Sequence, residues 1–191
     1  GATEHTKREG VVQDVNRLSF NSFISLLRKV NLPFDPSAKV TGPRLLHTSQ
    51  WGIIDPVDTP DGGNVGLHKH LAIASSITSG CSAFPLIKWM RLHTNMRLLA
   101  ECSPLYISHK CKVFVNGNWV GSIENPIEIV DRLKLLRRNG VVSIFMSISF
   151  NSQHNELNIY SDDGRLTRPI YYIDKGQTSF NRDPKIMNII N

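Results

Sequence analysis

The sequence predicts an α+β fold, in which a helical region with a long rigid loop precedes a small α+β module. Three observations carry this prediction. Apolar residues recur at helical spacing through much of residues 1–103, and a stretch dense in proline, glycine and aspartate interrupts them. From residue 104 onward, short alternating strand patterns replace the helical ones. The predicted regions are therefore 1–103, 104–175 and the truncated start of a further region at 176–191.

The first region begins with a predicted helix over residues 11–30, whose apolar side chains recur at helical spacing. Pro33 then breaks the helix. Residues 31–41 are rich in turn formers, so we expect them to form a loop that carries Lys39.

The middle of the chain combines rigid turns with two further predicted helices. A short extended run over 44–54 leads into residues 55–66, whose prolines, glycines and aspartates predict fixed turns and little regular structure. Helices are then expected over 67–78, as a buried apolar segment, and over 84–99, which Pro85 opens.

The module after residue 104 is expected to hold a β-hairpin, one helix and antiparallel strands. Asn116 and Gly117 lie between two apolar runs, which is a strong hairpin pattern. Asn125 as N-cap and Pro126 at the first helical position open a helix that Gly140 ends. The further predicted strands cover residues 141–150, 156–160 and 168–173.

The chain carries an excess of positive charge. Its formal net charge is +6 and its isoelectric point is near 9.4, which favours polyanionic partners or an acidic neighbour but also serves solubility. No apolar run approaches the roughly 20 residues that cross a bilayer, and the first residues lack a signal-peptide core. The chain starts without methionine at Gly1 and stops after an apolar segment at Asn191, so we expect a piece of a longer polypeptide.

The three cysteines, Cys81, Cys102 and Cys111, are widely spaced and form no Cys-x-x-Cys pair. A disulfide framework is therefore not expected, and a reducing compartment is favoured. Zinc is the alternative, because His109 lies between the last two cysteines and His93 precedes them. No finger or ribbon spacing is present, so partly buried thiols and surface histidines are the favoured interpretation.

Three aspartates, Asp55, Asp58 and Asp61, lie in the turn-rich stretch. Grouped carboxylates could bind a metal or perform acid–base catalysis. Aspartate beside proline or glycine more often caps a turn, and we favour that interpretation. Since no Ser/His/Asp or Cys/His arrangement has a recognisable local signature, no catalytic residue is predicted.

The segment after these aspartates offers two ways to meet an anion. Residues 62–66 are glycine-rich and precede the helix predicted over 67–78, whose N-terminus could hold phosphate, although the lysine of a P-loop is missing. The His-Lys-His run at 68–70 is basic at that helix start, where the dipole disfavours it unless an anionic partner lies nearby. The alternative is a solvated first turn, as for the basic face of the predicted helix over 125–140.

Residues 44–72, RLLHTSQWGIIDPVDTPDGGNVGLHKHLA, resemble the signature of the second-largest, β-like subunit of multisubunit DNA-directed RNA polymerases. That family reads Arg-x-x-His, then an aromatic residue and glycine, then Pro-x-Glu-Thr-Pro-Glu-Gly, then Gly-Leu and, in eukaryotic-type members, x-Lys-Asn-Leu-Ala. Residues 11–41 are similar to the fork region of those subunits, and 113–169 resemble the neighbouring region called external 2. The resemblance thus identifies an internal part of such a subunit.

Four residues depart from the family pattern. Asp58 and Asp61 stand where the family has glutamates, which keeps the charge but shortens the side chain. His70 replaces an asparagine, and His68 replaces an apolar residue. These departures indicate a diverged member, and a large DNA virus that encodes its own polymerase would fit them.

The resemblance implies a part in a nucleotidyltransferase complex that copies DNA into RNA. Such polymerases use Mg²⁺ to align the RNA 3′ end with the incoming triphosphate. The aspartates that hold the metal belong to the largest subunit, and the active-centre lysines of the second subunit lie later in its sequence, so neither a catalytic residue nor a metal ligand is expected here. The chain alone is expected to be inactive. Its implied partners are the largest and other polymerase subunits, template DNA and the RNA transcript, with no membrane.

The resemblance also implies a position in the active-centre cleft beside downstream DNA. Basic side chains there would hold phosphates without reading sequence, and the aspartates would fix the loop and nearby arginines. Arg44→Ala is therefore expected to slow elongation more than it disturbs folding, whereas residues 104–175 are expected to be peripheral scaffold. The implied cleft residues are Lys39, Arg44, His47, Asp58, Asp61 and Lys69.

Two other classes of function stay open. One is a stand-alone nucleic-acid-binding protein, which the positive charge alone supports. The other is a subunit-interaction module whose basic faces meet acidic partners. The expected location is the nucleus or, for a viral protein, a cytoplasmic factory.

Overall fold

A computed structural model describes residues 13–174 and 176–178, and within these residues it confirms the α+β class. The remainder of the predicted region 176–191 lies outside the described residues. The helices are α1 (Phe20–Leu27), α2 (Phe84–His93), α3 (Pro104–Ser108) and α4 (Pro126–Arg138). The strands are β1 (Lys29–Asn31), β2 (His68–His70), β3 (Ser76–Ile77), β4 (Arg97–Leu98), β5 (Cys111–Val115), β6 (Asn118–Ile123), β7 (Ser147–Asn151), β8 (Glu156–Tyr160), β9 (Leu166–Thr167), β10 (Ile173–Asp174) and β11 (Gln177–Thr178).

The described chain divides into two compact units. The first unit contains the residues up to Ser75 and those from Arg168 onward, and the second contains residues 76–167. This division differs from the regions predicted as 1–103 and 104–175, because α2 packs on the sheet that follows it in sequence. No helix in the described part of the chain is long and apolar enough to cross a membrane.

Helix α1 is shorter than the prediction over 11–30, of which residues 11 and 12 lie outside the described range. Ser19 and Ser22 form a capping box, in which each side-chain oxygen accepts the backbone N–H of the other serine at 3.0–3.1 Å. The box fixes the start of the helix at Phe20. After Arg28 the backbone becomes extended and pairs as β1.

The helix predicted over 67–78 is wrong, because residues 68–70 form strand β2. This strand pairs antiparallel with β1, and Lys29 lies opposite His70. A short apolar run does not distinguish a helix from a buried strand, and pairing with a distant segment decides the outcome here. No helix therefore follows Gly66 directly. Residues 62–66 do not precede a helix N-terminus, so the phosphate site expected there is not supported.

The extended run predicted over 44–54 is also wrong. The 3₁₀ turn Gly42–Arg44 ends at its first residue, the 3₁₀ turn Thr48–Gln50 lies within it, and Ile54 forms isolated β-bridges to Trp51 and Leu71. The following stretch 55–66 holds bends and one further 3₁₀ turn, as its prolines and glycines predict.

A five-stranded sheet of order β4-β6-β5-β8-β7 forms the centre of the second unit. The predicted hairpin is confirmed as β5 and β6, joined through Asn116 and Gly117 with left-handed φ angles of 50° and 80°. The predicted pairing of the strands around residues 147–151 and 156–160 is confirmed as β7 and β8. Strands β5 and β8, however, run parallel, which the sequence patterns do not predict.

Helices α2 and α4 bury their apolar residues against this sheet. Met90 of α2 and Leu133 of α4 are fully buried in one cluster with Val113, Leu157 and Ile159 of the strands. Burying each such side chain stabilises the fold by about 1.5–3 kcal/mol relative to leaving it exposed. This cluster is the main core of the second unit.

Several predicted boundaries in this unit shift. The helix predicted over 125–140 is confirmed as α4, but the one predicted over 84–99 ends at His93. The strand predicted over 141–150 begins only at Ser147. The strand predicted over 168–173 is wrong up to residue 172, because β9 ends at Thr167 and irregular backbone leads to β10.

Candidate functional site

Arg44 folds back over the backbone of its own unit. Its guanidinium donates five hydrogen bonds of 2.8–3.5 Å to main-chain carbonyls. The acceptors are the carbonyl oxygens of Pro36, Ala38, Val40, Gly63 and Val65. Because an arginine side chain has five N–H donors, this arrangement uses the whole group to join loop 31–41 to the end of the turn-rich stretch. The guanidinium therefore holds backbone, and we now expect Arg44→Ala to disturb folding.

Gly66 allows this close approach. Its φ is +72°, and a Cβ atom placed there would lie 2.4 Å from the carbonyl oxygen of Arg44. The backbone of Arg44 leaves no space for a Cβ atom at this position, and the left-handed φ angle disfavours any residue that has one. The glycine that follows the aspartates thus serves packing against Arg44.

Asp58 bonds to a serine and a histidine, whereas the resemblance implied arginine partners. Ser25 Oγ donates to Asp58 Oδ2 at 2.7 Å. Nδ1 of His70 lies 2.8 Å from the carbonyl oxygen of Asp58 and 3.3 Å from its Oδ1. Since the imidazole of His70 is almost fully buried, these contacts tie α1, the turn-rich stretch and β2 together.

The other two aspartates of the stretch behave differently from each other. Asp55 Oδ1 accepts the N–H groups of Val57 at 2.9 Å and Asp58 at 3.3 Å, which confirms the turn-capping interpretation for this residue. Asp61 occupies the N-cap position of the turn Gly62–Asn64, but its side chain makes no capping hydrogen bond. Asp61 is exposed.

The His-Lys-His run lies in β2 and is mostly buried. Lys69 is 7% exposed, and its Nζ donates to the carbonyl oxygen of Leu45 at 3.2 Å. Burial, followed by the charges of Lys29 and His70, lowers the pKa of His68, whose Nδ1 lies 2.7 Å from Asn31 Oδ1. The interpretation of this run as a solvated first turn of a helix is therefore wrong.

Lys39 and His47 are the two exposed basic residues of the predicted set. Lys39 lies on the loop that the Arg44 side chain ties down. His47 caps the turn Thr48–Gln50, where its Nδ1 accepts the N–H of Ser49 at 3.2 Å. Both side chains are therefore exposed on backbone that hydrogen bonds hold, and Lys39 is the one on loop 31–41.

The first unit also contains a surface cavity of about 410 Å³ beside β2. Its walls include Lys29, Asp58, Asn64, His68 and His70. Of the six predicted cleft residues, Asp58 is the one that lines this cavity. Arg44 bonds to the carbonyl oxygen of Val65, and Lys69 bonds to that of Leu45. The predicted cleft residues therefore do not all lie at one site. Asp58 lines the cavity, whereas Lys39 and Arg44 belong to loop 31–41 and the hydrogen bonds that hold it.

The described residues do not form a metal-binding cluster of three or more histidine, cysteine or carboxylate side chains. The grouped-carboxylate alternative for Asp55, Asp58 and Asp61 therefore gains no support. Burial raises the pKa of the Cys111 thiol to about 11. Cys102 Sγ lies 3.2 Å from the carbonyl oxygen of Leu98, consistent with a thiol that donates to backbone.

Two family models match the chain in consecutive order. The model described as RNA polymerase Rpb2, domain 3, matches residues 13–77, and RNA polymerase Rpb2, domain 4, matches residues 113–174. The chain belongs to the Rpb2 family of RNA polymerase subunits. This membership confirms the resemblance found at residues 44–72, and it assigns the Arg44 loop and β2 to Rpb2 domain 3.

Individual Rpb2-family relatives agree with this assignment. DNA-directed RNA polymerase II subunit 2 of Arabidopsis thaliana is 39% identical over 167 residues, which are 87% of this chain and 14% of the relative. DNA-directed RNA polymerase III subunit RPC2 of Saccharomyces cerevisiae is 35% identical over 173 residues, which are 90% of this chain and 15% of the relative. DNA-directed RNA polymerase II subunit RPB2 of Encephalitozoon cuniculi is 37% identical over 166 residues, covering 87% and 14%.

The chain spans about a seventh of the length of these Rpb2-family relatives. All three relatives are eukaryotic proteins, so the eukaryotic-type resemblance is supported and the expected viral source is not.

Sequence reasoning missed two residues that organise this part of the Rpb2 fold. Arg28 Nη2 donates to the carbonyl oxygens of Ala72 and Ser75 at 2.6 and 2.8 Å. Thr59 Oγ1 donates to the carbonyl oxygen of His68 and accepts the N–H of Gly66. The threonine of the Thr-Pro motif was a visible signal, whereas nothing in the sequence distinguished Arg28 from its basic neighbour.

Proposed function

We propose that this chain contributes to the downstream DNA and active-centre cleft of a DNA-directed RNA polymerase during template-dependent RNA synthesis. The observation that carries the proposal is the set of five carbonyl hydrogen bonds from Arg44. They hold the backbone of loop 31–41, so that the exposed Lys39 is presented from a fixed position. A lysine held in this way suits contact with a phosphate without reading base sequence.

The proposed contribution is positioning, and bond-making belongs elsewhere in the enzyme. The Mg²⁺ ions that align the RNA 3′ end and the triphosphate would be held by the largest subunit. The aspartates of the turn-rich stretch do not fit that metal, since Asp55 caps a turn and Asp58 contacts serine and histidine. The proposed partners are the largest and other polymerase subunits, template DNA and the transcript, and the proposed location is the nucleus.

The other predicted cleft residues take supporting roles in this proposal. Lys69 and Asp58 hold the backbone and β2 behind the loop, through Leu45 and His70. His47 fixes the turn that follows Arg44. Asp61 is exposed, and its part in the cleft stays a prediction from the resemblance.

Lys39→Ala in the assembled polymerase tests this function. The variant should bind downstream DNA more weakly across all sequences, and the slope of log affinity against log salt should fall by about one. The matched control is Lys134→Ala, which removes a lysine from α4 in the second unit and should leave both quantities unchanged. An unaltered salt slope in a normally assembled Lys39→Ala enzyme would remove Lys39 from the DNA contact.

A subunit-interaction role is the second candidate, and a specific observation favours it. The second unit exposes large apolar side chains on α2, on α4 and after α4, including Phe84, Leu135, Val141 and Ile144, each at least 55% exposed. Exposed apolar residues that gather in one region mark interaction surfaces.

A further inference from the structure

The second unit contains an apolar groove of about 290 Å³, which we call the α2–α4 groove. Helix α2 contributes Pro85, Leu86 and Trp89, α4 contributes Leu136, and the loop after α4 contributes Val142 and Met146. No residue that lines it carries a charge. The groove therefore offers apolar contact, as sites for apolar side chains of a ligand do.

Exposed apolar residues extend the α2–α4 groove outward. Val141 lines the groove and is 70% exposed. Phe84 and Ile144 each adjoin a lining residue in sequence, and they are 71% and 70% exposed. These apolar side chains can be removed from water only by a bound partner. The groove and its rim therefore have the properties of a docking surface.

The chain segments that supply the groove residues are rich in basic residues. Residues 81–93 and 126–146, which include all of α2 and α4, contain six lysines and arginines and two acidic residues, Glu128 and Asp131. Arg91 pairs with Glu101, and Arg137 donates a hydrogen bond to the carbonyl oxygen of Met146, a residue that lines the groove. Burial, followed by the neighbouring charge of Arg138, lowers the pKa of Arg137. An occupant with negative charge around apolar anchors would match both features.

We propose that the α2–α4 groove docks an acidic amphipathic segment of another protein chain. Its apolar side chains enter the groove, and its carboxylates lie near basic residues that neighbour the lining residues in sequence, such as Lys88, which lies on α2 between Pro85 and Trp89. A helix that lays its apolar face into a groove is a common form of such recognition. We choose another protein chain as the occupant because the relatives of this chain are named as subunits of RNA polymerases. The charge and shape of the groove support the proposal independently of the proposed cleft function.

A labelled peptide tests the chemistry of the groove with the 191-residue chain. The probe is a fluorescein-labelled helical peptide of leucine and glutamate, followed by fluorescence anisotropy. We expect it to bind at least about tenfold more tightly than a leucine–lysine peptide or a serine–glutamate peptide, since each lacks one of the two matching features. Equal binding of the leucine–glutamate and leucine–lysine peptides, or no binding, would overturn the proposal.

Variants of exposed residues locate the binding. Val141→Glu and Lys88→Glu should each weaken binding of the leucine–glutamate peptide by about tenfold or more, because they place negative charge at the groove. The matched control is Ile127→Glu, which lies at the start of α4, is 66% exposed and does not line the groove. Circular dichroism confirms that each variant is folded. Loss of binding in Ile127→Glu to the same extent would place the peptide elsewhere and refute the groove.

A photo-crosslinker at position 141 of the assembled polymerase identifies the natural occupant. The expected product joins position 141 to an acidic, leucine-rich or similarly apolar segment of a different chain. Cross-links to nucleic acid, to the same chain or to nothing contradict the proposal. Because Lys39 lies in the first unit, Lys39→Ala should leave this cross-link unchanged, so failure of the cleft function and failure of the groove are distinguishable.

Discussion

Arg44 acts on backbone, and the consequence at the scale of one residue is a stability effect. Its five hydrogen bonds are charge-assisted, and breaking such contacts costs about 1.5–3 kcal/mol each as an upper range. We expect Arg44→Ala to lower the free energy of unfolding by about 2 kcal/mol or more, as measured by urea unfolding. Arg44→Lys should recover only part of this, because an ammonium cannot reproduce the planar fork of donors.

The matched control for Arg44 is Lys39→Ala in the same loop. Lys39 is exposed, so its removal should change the free energy of unfolding by no more than about 0.5 kcal/mol. If Arg44→Ala unfolds at the same urea concentration as Lys39→Ala, the carbonyl contacts contribute nothing net. Hydrogen exchange of the backbone amides of residues 37–40 would then also be unchanged.

Cys111 gives the second unit a defined response to alkali. Burial raises the pKa of its thiol from 9.0 to about 11. Between these values the thiol ionises in the unfolded chain but stays protonated in the folded one, so stability that is complete below pH 9 is lost as the pH rises towards 11. We expect urea midpoints measured across this window to fall more steeply for the natural chain than for Cys111→Ala. Parallel pH profiles for the two proteins would contradict this.

Single residues were predictable where a motif described their surroundings. The Thr-Pro motif and the following glycines indicated a rigid segment, and the family assignment followed from their order. The sequence did not predict that Lys69 is buried or that Asp58 meets His70, because those contacts depend on β2 pairing with β1.

The tight packing of the turn-rich stretch yields a prediction at the scale of the element. Gly66 and Gly62 have similar φ angles of +72° and +76°, but a Cβ at Gly66 would collide with Arg44 whereas one at Gly62 meets nothing within 4 Å. Gly62→Ala should therefore cost only the conformational strain, about 1–2 kcal/mol. Gly66→Ala should cost at least about twice as much, and calorimetric unfolding of both variants measures the difference.

Equal destabilisation by the two alanine variants would mean that the backbone at Arg44 shifts to accommodate the new Cβ atom without lowering the free energy of unfolding. Such a result would weaken the view that residues 44 and 66 form one rigid contact. The pair of variants thus separates collision from conformational strain, since both substitutions add the same methyl group.

Elements with local signals were predicted better than those that depend on distant partners. The hairpin at Asn116–Gly117 and helix α4 carry their turn and cap residues within the element, and both are confirmed. The segment 67–78 carries only an apolar run, and its true state depends on β1 and β9, far away in sequence. Helix α1 was overextended because helical spacing continued beyond the capping box at Ser19.

At the scale of the whole molecule, we expect no polymerase activity from the isolated chain. The chain spans 14% of the length of the Arabidopsis relative, so most of such a subunit is missing from it. We expect no template-dependent incorporation of labelled ribonucleotides by the purified 191-residue chain. Incorporation that persists through repeated purification and scales with the amount of this chain would contradict that expectation.

The fold class and the family were predictable for the whole chain, but the grouping of its parts was not. Composition shifts suggested a boundary after residue 103, whereas packing joins α2 to the sheet through Leu86 and Met90. The position of a helix is easier to predict from sequence than the element against which that helix packs.

The parallel pairing of β5 with β8 has a consequence during synthesis of the chain. Strand β6 follows β5 at once and covers one edge of it, but the other edge waits until residues 156–160 have left the ribosome. Helix α4 and β7 are made in the interval. For that time the backbone N–H and C=O groups along one side of β5 are open to pairing with foreign strands. We therefore expect this edge of β5 to need protection from association until Glu156 has emerged.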